Sequence, residues 1–203
     1  MGCILMRDLN LFIKRLIDFF GSGIGLILIS PLLIISAILI KLTMPGPLFF
    51  KQKRVGKNGI KFNILKFRTM KVDREAEKNL DFTKDKERIT PVGKFLRRTK
   101  IDELPQLINV FKGDMSLVGP RPTIQQQVDN YTKFQLQRLN MRPGMTGLAQ
   151  VNGNITLPWE QRIEYDVEYI LNFSIILDFK ILLKTVAIVI MGEGKFKKEK
   201  STS

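Results

Sequence analysis

Between Asp18 and Lys41 the chain runs for 22 residues without a formal charge, FFGSGIGLILISPLLIISAILI. At about 1.5 Å per residue, a straight helix of that length reaches roughly 33 Å, enough for a bilayer core of about 30 Å. The stretch exceeds the roughly 7–15 apolar residues of a signal-peptide core, and no small-x-small cleavage site follows it. Pro31, preceded by Ser30, stands near its middle. An internal proline removes a backbone hydrogen bond and clashes with the preceding turn, which costs about 3 kcal/mol and commonly kinks the helix.

Charge adds a second constraint. Arg7, Lys14 and Arg15 precede the segment, while Lys41, Lys51, Lys53 and Arg54 follow it. Lys and Arg mark the cytoplasmic side of a membrane segment. A bend at Ser30-Pro31 that returns the chain to the face it left satisfies both flanks, whereas a straight span leaves one on the wrong side. The expectation is a re-entrant membrane helix over residues 1–44, broken at Ser30-Pro31, with a straight span as the alternative. A second apolar stretch, Phe173–Met191, is interrupted by Asp178, Lys180 and Lys184. Hydrocarbon penalises such charges, so the stretch suits a helix at the membrane surface or a partly buried core helix. The basic tail, Lys195–Ser203, is expected near lipid headgroups.

Residues 45–203 read as one functional domain, a body with membrane-surface helices and no repeat or low-complexity run. Met44-Pro45-Gly46-Pro47 ends the membrane helix. Two β-like runs, Leu48–Val55 and Ile60–Phe67, flank Lys57-Asn58-Gly59, whose Asn-Gly pair favours a tight hairpin turn. Helical patterns follow at Val92–Thr99, Glu103–Phe111, Gln125–Leu139 and Trp159–Leu171. The expected class is α+β and mostly helical, with a small β-hairpin and amphipathic surface helices.

Composition then limits the chemistry. There is no His and a single Cys. That excludes His-based triads, imidazole acid–base catalysis, disulfides within the chain and Cys-rich zinc sites. Catalysis is left to carboxylates, Lys and Arg, hydroxyls and a hard oxygen-bound cation such as Mg²⁺. With 33 Lys+Arg against 19 Asp+Glu, the formal charge is +14. Such a chain meets polyanions: nucleic acid, anionic headgroups or phosphate-bearing substrates. Residues 51–101 alone carry a net +11.

That basic run ends in Arg97-Arg98-Thr99-Lys100-Ile101-Asp102-Glu103-Leu104-Pro105-Gln106. Acidic residues just before a proline suit the first turn of a helix, where capping is their ordinary role. Their neighbours offer another role. Pro120-Arg121-Pro122 stiffly presents a guanidinium suited to phosphate oxygens, and Lys66-Phe67-Arg68 closes the hairpin with two further cations. Carboxylates among such cations are the parts of a phosphoryl-transfer site. There is no G-x-x-x-x-G-K-[ST] loop and no Asp-x-Asp pair. A non-catalytic, membrane-anchored basic scaffold or a nucleic-acid- or lipid-binding module would also account for the charge and the apolar segment. Neither requires a carboxylate pair inside the basic region.

Eight blocks in one order make the chain recognisable. They are Lys14-Arg15-x-x-Asp18, Ser30-Pro31, Pro45-Gly46-Pro47-Leu48-Phe49-Phe50 and Lys66-Phe67-Arg68-Thr69-Met70. Arg88-Ile89-Thr90, Asp102-Glu103-Leu104-Pro105-Gln106, the run from Gly113 to Pro122 and Arg142-Pro143-Gly144-Met145-Thr146-Gly147 complete the set. In these the chain resembles the bacterial sugar transferase family, the monotopic polyprenol-phosphate phosphoglycosyl transferases, and is similar to its smallest, catalytic-unit-only members.

The resemblance implies a two-step transfer at the cytoplasmic face of the bacterial plasma membrane, opening a glycan pathway. Asp102 would attack the β-phosphate of a UDP-sugar and expel UMP, and a polyprenyl phosphate would then take up the phosphosugar. Glu103, with Asp102, would hold Mg²⁺. Arg121 beside Pro120, with Arg97, Lys66 and Arg68, would bind phosphate oxygens, and Ser30-Pro31 would break the membrane helix. The implied partners are the UDP-sugar, polyprenyl phosphate, the lipid bilayer and downstream glycosyltransferases, with no nucleic acid; sugar, pathway and oligomeric state stay open. One departure stands out: after Val151-Asn152-Gly153, where relatives commonly carry Arg, this chain has Asn154.

Overall fold

The structure is a computed structural model that describes residues 2–72 and 88–191. The basic tail Lys195–Ser203 and part of the basic run lie outside the described residues. Helix α1 spans Gly2–Thr43 and stays helical through Ser30 and Pro31, so the expected break does not divide it into two helices. The reason is local. Pro31 has no N–H to offer the carbonyl four residues earlier, that of Ile27. The Ser30 hydroxyl donates to that carbonyl instead, at 2.8 Å. The donor that proline removes is thus replaced by its neighbour, which apolar surroundings require.

Both flanks of the apolar segment are held by the same body. On the N-terminal side, Lys14 pairs with Asp178 at 2.5 Å. Arg15 donates to the carbonyls of Val110 and Phe111 at 2.8 and 2.9 Å. Asp18 accepts from the Ser116 hydroxyl and the Leu117 amide at 3.0 and 2.9 Å. On the C-terminal side, Ile40 and Met44 are buried against Phe67 and Leu96, with Leu33 and Ala37 packed alongside. Between these anchors Ile27 and Leu28 are each 74% exposed. Residues 6–43 of α1 are long and apolar enough to cross a membrane.

Strands β1 (Phe49–Val55) and β2 (Lys61–Phe67) form the expected antiparallel hairpin, with Phe49 opposite Phe67 and Val55 opposite Lys61. Asn58 takes the left-handed conformation that the Asn-Gly turn calls for. Helix α2 (Pro91–Arg98) begins with proline and is capped by Thr90, whose hydroxyl accepts from the Gly93 amide at 3.0 Å. A 3-10 turn over Ile101–Glu103 leads into α3 (Gln106–Lys112). Asn109 ties α3 to β2, accepting from the Leu65 amide at 3.0 Å and donating to the Asn63 carbonyl at 2.8 Å.

Two three-residue strands escape any reading of periodicity. β3 (Ser116–Val118) and β4 (Gly144–Thr146) pair in parallel. The expected helix over Gln125–Leu139 is divided into α4 (Gln125–Val128), α5 (Lys133–Leu136) and a 3-10 turn at Gln137–Asn140. Thr132 restarts the helix through a reciprocal capping box with Gln135. α6 (Leu148–Val151), α7 (Trp159–Leu171) and α8 (Ile175–Met191) follow. α8 buries Asp178 and Ile181 and exposes Ile176, Phe179, Leu183, Val186 and Ile190, so its outward face is apolar and the helix is not the amphipathic one expected. Tyr169 and Ile170 of α7 join Ile181, Val118, Met141 and Val151 in the largest core cluster. Among the described residues the chain is therefore mostly helical α+β with one small hairpin, as expected.

Candidate active site

The 3-10 turn that carries Asp102 and Glu103 is set by its neighbours. Lys100 before it is left-handed (φ 61°), an uncommon conformation for a residue with a side chain. The turn packs on α2 and β2, which aligns the carboxylates with Lys66 near the end of β2. Glu103 accepts from the Lys66 ammonium at 2.6 Å. Asp102 is buried, and its Oδ1 has no exposed surface and no hydrogen-bond partner among the described residues. Buried polar atoms are nearly always paired, so an orphaned carboxylate oxygen marks a position kept for something else.

Burial, and then the charge of Glu103, push the Asp102 carboxyl above the ordinary aspartate range; Lys66, Arg97 and Lys100 hold it partly back. Burial also opposes ionisation of Glu103. There the charge and hydrogen bond of Lys66, with Arg121 and Lys100, more than offset it, and the carboxyl lies below its usual range. Two adjacent carboxylates thus differ in character. One is a held anion, and the other is a less comfortable and more basic one.

Both carboxylates line a cleft of about 710 Å³. Of the cations read from the sequence, Lys66, Arg68 and Arg97 line it with them. Arg97 reaches Thr69 Oγ1 at 2.8 Å and Met70 Sδ at 2.8 Å. Arg68 serves mainly as a cap: it is buried, and its guanidinium donates to the carbonyls of Met44 and of Pro45, where α1 ends. Arg68 therefore joins the cleft to the end of the apolar helix. The rim beside that helix end is apolar, with Pro47, Phe49 and Phe50.

Arg121 stands exposed on an adjoining gap that it shares with Glu103 and Lys66. Its loop is pinned on both sides. The Gly144 amide donates to the carbonyl of buried Pro120 at 2.9 Å, and the Val55 amide donates to that of Thr123 at 2.9 Å. Arg138 adds a bond to the Arg121 carbonyl at 3.1 Å and pairs with buried Asp166 at 2.5 Å. Gly119 and Gly144 touch so closely that a Cβ on Gly144 would stand 2.1 Å from the Gly119 amide. No larger residue fits this crossing. Asn154 lies farther along the same surface, with Trp159 and Arg162.

Two site residues were not foreseen. Arg54 of β1 lines both the cleft and the gap, and donates to Gln52 Oε1 at 2.6 Å. Gln150 of α6 lines the gap. Arg54 could have been read from the hairpin register, two residues beyond Gln52 on the same strand face. Nothing in the pattern around Gln150 sets it apart. The donor set suits Mg²⁺, which binds one or two carboxylates and completes its shell with phosphate oxygens and water. Among the described residues there is no group of three or more potential ligands that would cage a metal by protein alone.

Comparison with known proteins places these features in context. Residues 9–192 match the model of a family described as bacterial sugar transferase. An uncharacterised sugar transferase, EpsL of Bacillus subtilis, is 42% identical over 91% of this chain and 90% of its own length. The UDP-N-acetylgalactosamine-undecaprenyl-phosphate N-acetylgalactosaminephosphotransferase of Aeromonas hydrophila is 43% identical over 96% of this chain. The UDP-glucose:undecaprenyl-phosphate glucose-1-phosphate transferase of Klebsiella pneumoniae is 43% identical over 89% of it. The chain spans less than half of these last two proteins, 47% and 41% of their lengths.

Proposed function

The chain belongs to the bacterial sugar transferase family, and on that premise we propose that it transfers a phosphosugar from a UDP-sugar to a polyprenyl phosphate, releasing UMP. The observation that carries this reading is buried Asp102, whose Oδ1 has no hydrogen-bond partner among the described residues, beside the Glu103–Lys66 pair on a cleft rimmed by cations. A carboxylate oxygen of Asp102 attacks the β-phosphorus. The bond from that phosphorus to the bridging oxygen breaks, and UMP leaves with the oxygen and the electron pair. A phosphate oxygen of the polyprenyl phosphate then attacks the same phosphorus, which frees the carboxylate and forms the polyprenyl diphosphosugar. An aspartate needs no histidine to activate it, which agrees with a chain that has none.

Lys66 holds Glu103 and, with Arg97 and Arg121, offers positive charge to the phosphate oxygens. Glu103 and Asp102 would hold Mg²⁺, which when bound neutralises phosphate charge during displacement. UMP release from a UDP-sugar in detergent, with polyprenyl phosphate present, tests the reading. Asp102 acts as a carboxylate, so the rate is lost as pH falls through its raised pKa. Burial and the Glu103 charge move that acid limb of kcat/KM up, whereas a bound Mg²⁺ would move it down. Lys66→Met removes a cation that favours ionisation and moves that limb higher still. A limb unmoved in Lys66→Met contradicts the assignment.

The apolar helix enters and leaves a membrane by the same, cytoplasmic face in this reading. Support comes from one body gripping α1 both before the apolar stretch, at Lys14, Arg15 and Asp18, and after it, at Ile40 and Met44. A spanning helix would need those anchors on opposite sides of the bilayer. Cysteines placed at Asp8 and Leu42 are expected to react with an impermeant maleimide from the same side of sealed vesicles. Labelling from opposite sides would restore the straight span.

A further inference from the structure

The cleft does not end at the carboxylates. Through Arg54, Lys66 and Glu103 it adjoins the narrow gap beside Arg121. Through Arg54, Arg121 and Gln150 that gap adjoins a second cavity of about 160 Å³. The far cavity differs in chemistry from the cleft. Its wall is Trp159, with the guanidinium carbons of Arg162 and Arg138 at 5.2 and 5.5 Å from the ring centre. Arg138 is already paired with Asp166. Among the described residues, Arg54 Nε, Arg162 Nε and Asp166 Oδ1 at this end are buried without a hydrogen-bond partner, and so is one whole amide, both Gln150 Oε1 and Gln150 Nε2. A side-chain amide presents a donor and an acceptor side by side, and burying both unmet is costly.

We propose that this cavity receives the pyrimidine of the nucleotide sugar, with the Gln150 amide paired to its imide edge. Nε2 donates to the O4 carbonyl, and Oε1 accepts from N3–H. The inference rests on the transfer reading above and adds the direction in which the substrate lies. With the β-phosphate at Asp102, the α-phosphate falls at the gap, beside Arg54 and Arg121. Base and ribose then continue toward Trp159. The cleft on the other side of the carboxylates, rimmed by Pro47, Phe49 and Phe50 at the end of α1, is left for the sugar and the acceptor phosphate. One wall of the nucleoside end is fixed by the Arg138–Asp166 pair, and the same Arg138 holds the Arg121 carbonyl. Base and phosphate subsites are thereby mechanically joined.

Trp159 is the single tryptophan of the chain, so its emission reports on this cavity without turnover. UMP binding to the full-length protein in detergent is measured by Trp159 emission and by calorimetry, with ribose 5-phosphate as a ligand that lacks the base. The expected result is a change of emission with UMP. Gln150→Leu, and the isosteric Gln150→Glu, which cannot donate to O4, each weaken UMP by about tenfold or more. Ribose 5-phosphate binding is expected to stay as in the wild type. Equal loss of both ligands in Gln150→Leu with full retention in Gln150→Glu would mean a packing role and overturn the inference. Calorimetric UMP binding that leaves Trp159 silent, or that neither variant weakens, would also overturn it while leaving the transfer reading intact. A wild-type protein that binds no UMP and releases none from any UDP-sugar would remove both.

Discussion

Asp102→Asn is expected to lower UMP release from a UDP-sugar by on the order of 10⁴-fold or more, the scale seen when a covalent nucleophile is removed. The side chain keeps its shape, so binding geometry is preserved and the loss falls on the chemical step. Stability should not fall with activity. Burial and the Glu103 charge both disfavour an ionised Asp102, and a neutral amide relieves that penalty. The thermal midpoint of the variant is expected to match or exceed that of the wild type. Mass spectrometry supplies the chemical half of the test. Given a UDP-sugar without lipid acceptor, the wild type should carry a phosphosugar on the peptide containing Asp102, and the variant should carry none. A variant that keeps full activity, or an adduct on another residue, would sink the assignment.

The second large effect concerns a pair remote from the reacting atoms. The side chains of Arg138 and Asp166 are 4% and 1% exposed and meet at 2.5 Å. Removing one partner strands the other charge in the interior. Asp166→Ala is therefore expected to destabilise the fold by about 3–5 kcal/mol, read from chemical denaturation. The double replacement Arg138→Leu with Asp166→Leu should cost clearly less than Asp166→Ala alone, because it strands no charge. Should the double variant be as unstable as the single one, packing and not charge would explain the loss. Activity distinguishes a further role. Arg138 also holds the Arg121 carbonyl, so the double variant should transfer poorly even where it is folded.

What the sequence made legible follows from what is local. Alternation and an Asn-Gly turn are nearest-neighbour signals, and the hairpin lies within one residue of its expected bounds. The pattern over Trp159–Leu171 is long and periodic, and α7 has those limits. β3 and β4 are three residues each, too short for a period, and exist because two glycines permit a close crossing. The Lys14-Arg15-x-x-Asp18 block was visible as a motif, but its partners Asp178, Val110 and Ser116 lie about a hundred residues or more along the chain. Only the fold brings them together. Arg68 read as one cation among several, and its duty as a cap on α1 depends on where that helix ends. Gln150 was invisible for a different reason: its distinction is a missing partner, which no residue pattern encodes.

Helix α3 has a consequence for the acceptor. Its first turn adjoins the carboxylates, while its side lies along the apolar helix, with Leu107 against Gly25 and Phe111 stacked on Phe19. Seven residues of helix span only about 10 Å. Under the proposed function, with α1 in the bilayer, Asp102 and Glu103 would therefore stand at a set height above the hydrocarbon. Lifting a lipid chain into water costs about 0.8 kcal/mol for each methylene exposed. A site held at headgroup height avoids that extraction work, since the phosphate can arrive while its tail stays dissolved. In that reading the short helix would act as a depth gauge, its length setting how far a lipid must rise to react.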